Sequence, residues 1–247
     1  MPTVIAKTAS WGPFTMRLDT PPFNDERVRM ALKLIVDRKQ MLEQVFAGYG
    51  QIGNDLFGIL DTDFTVFPQR EQDIDQAKSL LKQAGQEGLT IELITTENAP
   101  GQVPAAEVFA TQAKLAGVTV KVTKQTPTDY FAKSYLNVPF SQDYWPYQPY
   151  LVTCSQATIK GAPYNATHQA DDAYDKLYRD ASAEPDAAKR KDKIHEMLTY
   201  DFEKGGNIIP YHFPSIDGLS PMVKGVTESA IGQSLGGFDF KHIWIDG

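Results

Sequence analysis

Residues 89–123 constrain the fold more than any other stretch. Leu89-Thr90-Ile91-Glu92-Leu93-Ile94-Thr95 alternates apolar and polar side chains, as a half-buried strand does. Pro100-Gly101 then breaks the chain, and Ala106, Phe109, Ala110 and Ala113 recur at helical spacing until Gly117. Val118-Thr119-Val120-Lys121-Val122-Thr123 alternates again. Two strands separated by a helix cannot form a hairpin, but they suit a parallel pair with a crossover. The stretch therefore predicts an α/β module. No internal repeat or low-complexity linker divides the rest of the chain.

Other elements follow from capping and periodicity. Val4-Ile5-Ala6 is a short apolar run, and the alternation Phe14, Met16, Leu18 against Thr15, Arg17, Asp19 predicts a half-buried strand. Asn24 is the expected N-cap of a helix over about 25–36 that buries Val28, Ala31, Leu32 and Ile35. Asp37 with Gln40 starts a helix over 38–47, and Asp73 with Gln76 starts another that faces inward with Ala77, Leu80, Leu81 and Ala84. Thr126-Pro127 opens a short helix through Tyr130 and Tyr135. No periodic pattern runs through 138–165. Helices return at 171–182 and from Glu184-Pro185 to Gly205-Gly206, and Ile208 to His212 reads as a strand. The tail, 216–247, reads as short strands and turns.

Composition excludes several function classes. A net charge of −7, from 31 acidic and 24 basic residues, argues against a nucleic-acid or anionic-membrane surface. No apolar run approaches the ~20 residues needed to span a bilayer. The opening residues show no basic segment followed by an apolar core, so no signal peptide is visible. Cys154 is the only cysteine, which rules out an intrachain disulfide and reads as a small buried hydrophobe.

Local motifs give no catalytic, metal or cofactor site. Gly48-Tyr49-Gly50-Gln51-Ile52-Gly53 matches G-x-G-x-x-G, but it follows a helix where a dinucleotide fingerprint must follow a strand, so it reads as a loop. His195-Glu196 lacks the second histidine of a zincin helix, and position 199 is Thr. His212 reads as a core-edge residue, and His168 and His242 stand apart from the others. Asp61-Thr62-Asp63 lacks the glycine and distal glutamate of a calcium loop. Asn165 reads as a turn residue, and Lys189 to Lys193 as a solvated helix face. The best candidate for function is the loop Tyr144-Trp145-Pro146-Tyr147-Gln148-Pro149-Tyr150. Its flat, polar-tipped side chains suit a ligand cleft, and equally suit closing a core beneath a long loop.

Residues 21–50 carry a family resemblance. Pro22-Phe23-Asn24-Asp25, Arg27-Val28-Arg29, Ala31, Asp37-Arg38 and Gly48-Tyr49-Gly50 occur in an order that resembles the family 5 solute-binding proteins of bacterial ABC importers, which take peptides, dipeptides or nickel. Ala181, Asp186 and Arg190 ahead of an Ile-Pro strand are also similar. The resemblance implies a lobe of the periplasmic-binding-protein type II kind, a mixed sheet flanked by helices, and a chain matching only the later half of relatives about twice as long. It divides the chain into a hinge strand at 1–20, a second lobe at 21–205, and return strands at 206–247. It further implies a small-molecule or peptide ligand held between two lobes, a membrane permease and a first lobe as partners, a periplasmic or extracytoplasmic setting, and no enzyme activity.

For the site, the resemblance implies that the Trp145 segment lines the cleft. The expected ligand-binding residues are Asp143, Tyr144, Trp145, Tyr147 and Gln148. In peptide-binding members an acid a few residues beyond the Trp pairs with the ligand's α-ammonium. Here Tyr147 or Gln148 stands near that place, and a neutral amide gives no charge-assisted bond. An opine or sugar-like solute is thus a rival to a peptide, and a sensor or protein-interaction module is a rival to a transport component.

Overall fold

The computed structural model describes residues 1–247. The predicted crossover is present. β4 (Thr90–Thr95) runs parallel to β5 (Thr119–Lys124), joined by α4 (Gln102–Ala113). These strands belong to a five-stranded mixed sheet in the order β5-β4-β6-β2-β7. β6 (Phe140–Gln142) is parallel to β4, while β2 (Phe14–Met16) is antiparallel to both β6 and β7 (Asn207–Ile208). β2 is an interior strand, paired on both sides, and Thr15 is buried as well as Phe14 and Met16; the expected half-buried strand over 14–19 is three residues long.

A second sheet continues from the first through two neighbouring strands. β1 (Thr3–Trp11) runs into β2 across Gly12-Pro13, and β7 runs into β8 (Tyr211–Gly218) across Ile209-Pro210. Trp11 pairs with His212 on one side of these breaks and Phe14 pairs with Ile208 on the other. Proline removes a ladder donor at each break, which lets the paired strands leave one sheet and enter the next. The second sheet has the order β1-β8-β3, with β3 at Gln51–Ile52. The tail adds only a two-stranded ribbon, β9 (Val223–Lys224) with β10 (Trp244–Ile245).

The helices form where caps permit. α1 (Glu26–Ile35) is capped by Asp25, not Asn24: the Asp25 side chain accepts from the Arg27 N–H. Two good capping residues stand side by side, and the second one wins. α2 (Arg38–Phe46) and α3 (Ile74–Gln83) are capped by Asp37 and Asp73, each accepting from the glutamine three residues on. α5 is a single turn, Pro127–Asp129, which continues as a π turn through Tyr130–Ser134. The stretch 138–165 contains two elements that periodicity missed, β6 and α6 (Tyr150–Ala157). α7 (Asp172–Ser182) and α8 (Ala187–Glu203) pack against α6 and each other.

Two hydrophobic clusters result. One, of 26 buried residues, joins α1–α4 to the five-stranded sheet; the other, of 13, places Trp11, Phe57, Trp145 and Tyr150 against α6–α8. Between them lies a set of buried cations on the apparent polar side of α1. The last carbonyls of α8 lie at the end of its hydrogen-bond ladder, where Asp201 O accepts from the Gly205 N–H at 3.2 Å. Arg29 Nε reaches Lys204 O at 2.9 Å, Lys33 Nζ reaches Asp201 O and Phe202 O at 3.0 Å each, and Arg70 Nη2 reaches Phe202 O at 2.7 Å. These cations donate to carbonyls at the negative end of the helix dipole. Burial pulls the Lys33 ammonium down to about 7.

Asp55 ties the remaining parts together. Its carboxylate accepts from Arg38 Nη2 at 2.8 and 2.7 Å, Arg70 Nε at 2.9 Å, and the Ile209 N–H at 3.0 Å. It thus clamps α2 and the loop before α3 onto the break between β7 and β8.

Candidate functional site at the ends of β4 and β6

In an open α/β sheet, ligands gather beyond the carboxyl ends of parallel strands, where the connections leave in opposite directions. From β4 the chain passes through α4 to β5 on one side, while β6 lies on the other side of β4. The crevice between the ends of β4 and β6 is therefore the switch point of this sheet. β4 ends at Thr95, with Thr96 next in the chain, and β6 leads directly into Asp143 to Tyr150.

An antiparallel pairing fixes the loop there. The Trp145 N–H donates to Trp11 O and the Trp11 N–H to Trp145 O, both at 2.9 Å. The two indoles stack, with centroids 5.9 Å apart, and Trp11 stacks on Phe57 at 4.9 Å. Trp145 is thereby largely core, with only its rim reaching a hollow. Tyr144 is 42% exposed.

Asp143 is buried, and every bond it makes comes from a neutral donor of this chain. Its Oδ1 accepts from the Tyr144 N–H at 2.8 Å, and its Oδ2 from Trp145 Nε1 at 3.1 Å and Tyr135 Oη at 3.2 Å. With no cation beside it, burial raises its carboxyl to about 6. Asp143 thus orients the loop. Tyr147 turns away from both hollows described below: its hydroxyl donates to Asp61 at 2.7 Å, and its N–H to Ser10 Oγ at 3.3 Å. Asp61 also accepts the Tyr150 N–H. Gln148 borders a hollow, and its Oε1 is buried without a donor.

Two hollows meet at Tyr144 and Pro146. One, of about 350 Å³, lies against the second sheet and is bordered by Thr8, Ser10, Asn98 and Phe213. The other, of about 320 Å³, is walled by Phe131, Tyr135, Trp145 and Tyr164, with Asp143 and Gln148. Neither has a Lys, Arg or His in its wall. Thr96 Oγ1 and both amide atoms of Asn98 are buried without partners, at the crevice itself. The sequence reading did not single out these β4-end residues. Their only signal was position, directly after an alternating strand.

The histidines sit apart from the crevice in differing ways. His195 is exposed on α8 and stacks on Phe67. His212 is buried, with Nδ1 3.3 Å from Ala9 O, and burial lowers it to about 4. Cys154 is buried. No group of three or more His, Cys, Asp or Glu stands close enough to hold a metal ion, and no helix is long and apolar enough to cross a membrane.

A mixed α/β sheet with flanking helices, linked by paired strands to a second sheet, is a fold of the periplasmic-binding-protein type II-like kind. The fold superimposes on that of the periplasmic binding protein DppA from Helicobacter pylori in complex with the peptide STSA, with a TM-score of 0.85 at 18% identity, covering 100% of this chain and 50% of that one. Residues 3–161, more than half of the chain, match the model of the bacterial extracellular solute-binding proteins, family 5, and the chain belongs to that family. Among curated relatives from Escherichia coli K12, it is 28% identical over 225 residues to the probable deoxycholate-binding periplasmic protein YgiS, covering 86% of this chain and 42% of that protein. It is 26% identical over 224 residues to the periplasmic oligopeptide-binding protein OppA, covering 84% of this chain and 40% of that protein. The chain thus spans well under half the length of these two relatives.

Proposed function

We propose that this chain is the second lobe, with hinge strands, of a solute-binding component of an ABC importer. Its task is binding and not catalysis. In this reading 21–205 form lobe II, while 1–20 and 206–247 carry the strands toward a first lobe. A small polar solute is held between the lobes against the loop from Asp143 to Gln148, and closure about the paired strands delivers it to a membrane permease outside the cytoplasm. The observation that carries the reading is the juxtaposition of two hollows and the Trp145 loop at the switch point, next to the Gly12-Pro13 and Ile209-Pro210 breaks.

The tail supports a first-lobe partner. Ile216, Met222, Phe238, Phe240, Trp244 and Ile245 are each more than half exposed, with Ile245 at 71%, and Phe238 stacks on Phe240 with centroids 6.0 Å apart. An oligopeptide is the leading ligand class, because oligopeptide and peptide binding stand in the names of relatives. A non-peptide solute such as an opine or a sugar is favoured by one observation, the neutral Gln148 at the hollow. Calorimetric titration of the chain with tri-alanine and with octopine tests the reading. Weak binding is expected, since half of the enclosing wall is absent; tight binding by the lobe alone would contradict it.

A further inference from the structure

Asp61-Thr62-Asp63 lacks the pattern of a calcium loop, yet both acids are engaged. Asp61 Oδ1 accepts from the Tyr147 hydroxyl at 2.7 Å, and its Oδ2 accepts from the Tyr150 N–H at 2.5 Å. Asp63 Oδ2 accepts from Arg190 Nε at 2.8 Å, which ties the same turn to α8. The turn lies close against Tyr150: at Gly58, where φ is 74°, an added Cβ would stand 2.8 Å from the Tyr150 Cβ. The Tyr150 N–H opens α6, whose Pro149 cap offers no side-chain acceptor. Asp61, 89 residues upstream, supplies one, and its charge sits at the positive end of the helix dipole. Trp145 is pinned to Trp11 and Tyr150 to Asp61, and two of the four residues between them are prolines with fixed φ. Of the other two, Tyr147 is held by its hydroxyl, and Gln148 borders the hollow of about 320 Å³. Asp61 therefore fixes the chain on both sides of Gln148, while bordering neither hollow itself.

We propose that Asp61 is a positioning residue of the solute face: it touches no solute, and it holds the loop in the form that receives one. The proposal rests on the reading that this loop is the solute face. A loop released from Asp61 spends part of its time in other conformations, and the apparent affinity falls with the fraction lost. Asparagine at this position accepts only through Oδ1, so one of the two bonds goes and an N–H2 group faces a donor.

The test uses the full chain, labelled with ¹⁵N and titrated with tri-alanine. In Asp61→Asn the affinity is expected to fall roughly threefold or more, with amides between 144 and 150 shifted before any solute is added. The Tyr150 amide proton, bonded to a carboxylate, lies downfield in the parent chain. It should move upfield in Asp61→Asn and return in Asp61→Glu, together with part of the affinity. Asp73→Ala removes the acceptor of the Gln76 N–H that caps α3 and borders neither hollow. It should lower the melting temperature and leave the affinity within about twofold of the parent's. Unchanged affinity in Asp61→Asn would overturn the proposal while leaving the solute face intact. An equal loss in Asp73→Ala would overturn it too, because the effect would then be one of general stability. No shift at 143–148 by tri-alanine in the parent chain would overturn the solute face, and the proposal with it. Should Asp61→Asn lose its dispersed spectrum, Tyr147→Phe removes one of the two bonds and keeps α6 capped. An affinity equal to the parent's would then overturn the proposal.

Discussion

Asp55→Asn isolates the clamp on the strand break. The substitution keeps the size of the side chain and tolerates the left-handed backbone of position 55, where φ is 61°. It removes the charge that Arg38 and Arg70 share. Their side chains are only 2% and 7% exposed, and that of Asp55 is 0% exposed, so solvent cannot take over. Breaking a buried ion pair at one partner costs about 3–5 kcal/mol, because it strands the other charge. For a chain of this size each kcal/mol moves the melting temperature by about 2–4 °C, so the expected drop is roughly 6–20 °C. Differential scanning calorimetry at neutral pH measures it. Lys176→Ala serves as the control: its pair with Asp180 is exposed at 69% and 41%, and should be worth under about 1 kcal/mol. A drop in Asp55→Asn no larger than that of the control would refute the reasoning.

Three further outcomes follow. Gly53→Ala would place a Cβ 2.2 Å from Ile209 O and 2.8 Å from Tyr211 N, both main-chain atoms. A urea titration should find it destabilised by at least about 2 kcal/mol. His212 has its pKa lowered to about 4 from 6.5, so the unfolded chain binds the extra proton first. Its share of stability is complete above 6.5 and is lost as the pH falls toward 4, amounting to roughly 3 kcal/mol. His212→Gln should flatten that part of the stability–pH curve relative to the parent chain. Asp143→Asn should cost about 1–3 kcal/mol by weakening the bonds from the Tyr144 N–H, the Trp145 indole and the Tyr135 hydroxyl. A displaced Trp145 indole resonance would mark the loosened loop.

Much of the scaffold is written locally. Asp37, Asp73 and Thr126 cap helices where hydrogen-bond chemistry says they must, and the alternation of 89–95 and 118–123 specifies the parallel pair. What local rules missed depends on long-range partners. β6 is a three-residue strand, too short for a period to emerge, and α6 starts after Pro149 without a side-chain cap. Arg29 and Lys33 look like a solvated face of α1 until the end of α8 arrives to receive them. The candidate site divides in the same way. Its aromatic composition was visible, whereas the roles of Asp143 and Tyr147 arise from Tyr135, Asp61 and Ser10, which only the folded chain brings near. Thr96 and Asn98 join the crevice through the order of strands, which no local pattern encodes.

The central claim is that solute is held against the loop from Asp143 to Gln148 at the switch point. Amide chemical-shift mapping of the ¹⁵N-labelled chain with tri-alanine and with octopine tests it most directly. The account predicts weak binding, with Kd above about 0.1 mM for half an enclosing wall, and shifts concentrated at 96–98, at 143–148 and at the Trp145 indole. Shifts centred elsewhere, such as the groove between Pro21-Pro22 and Thr90–Glu92, or micromolar binding by this chain alone, would contradict it.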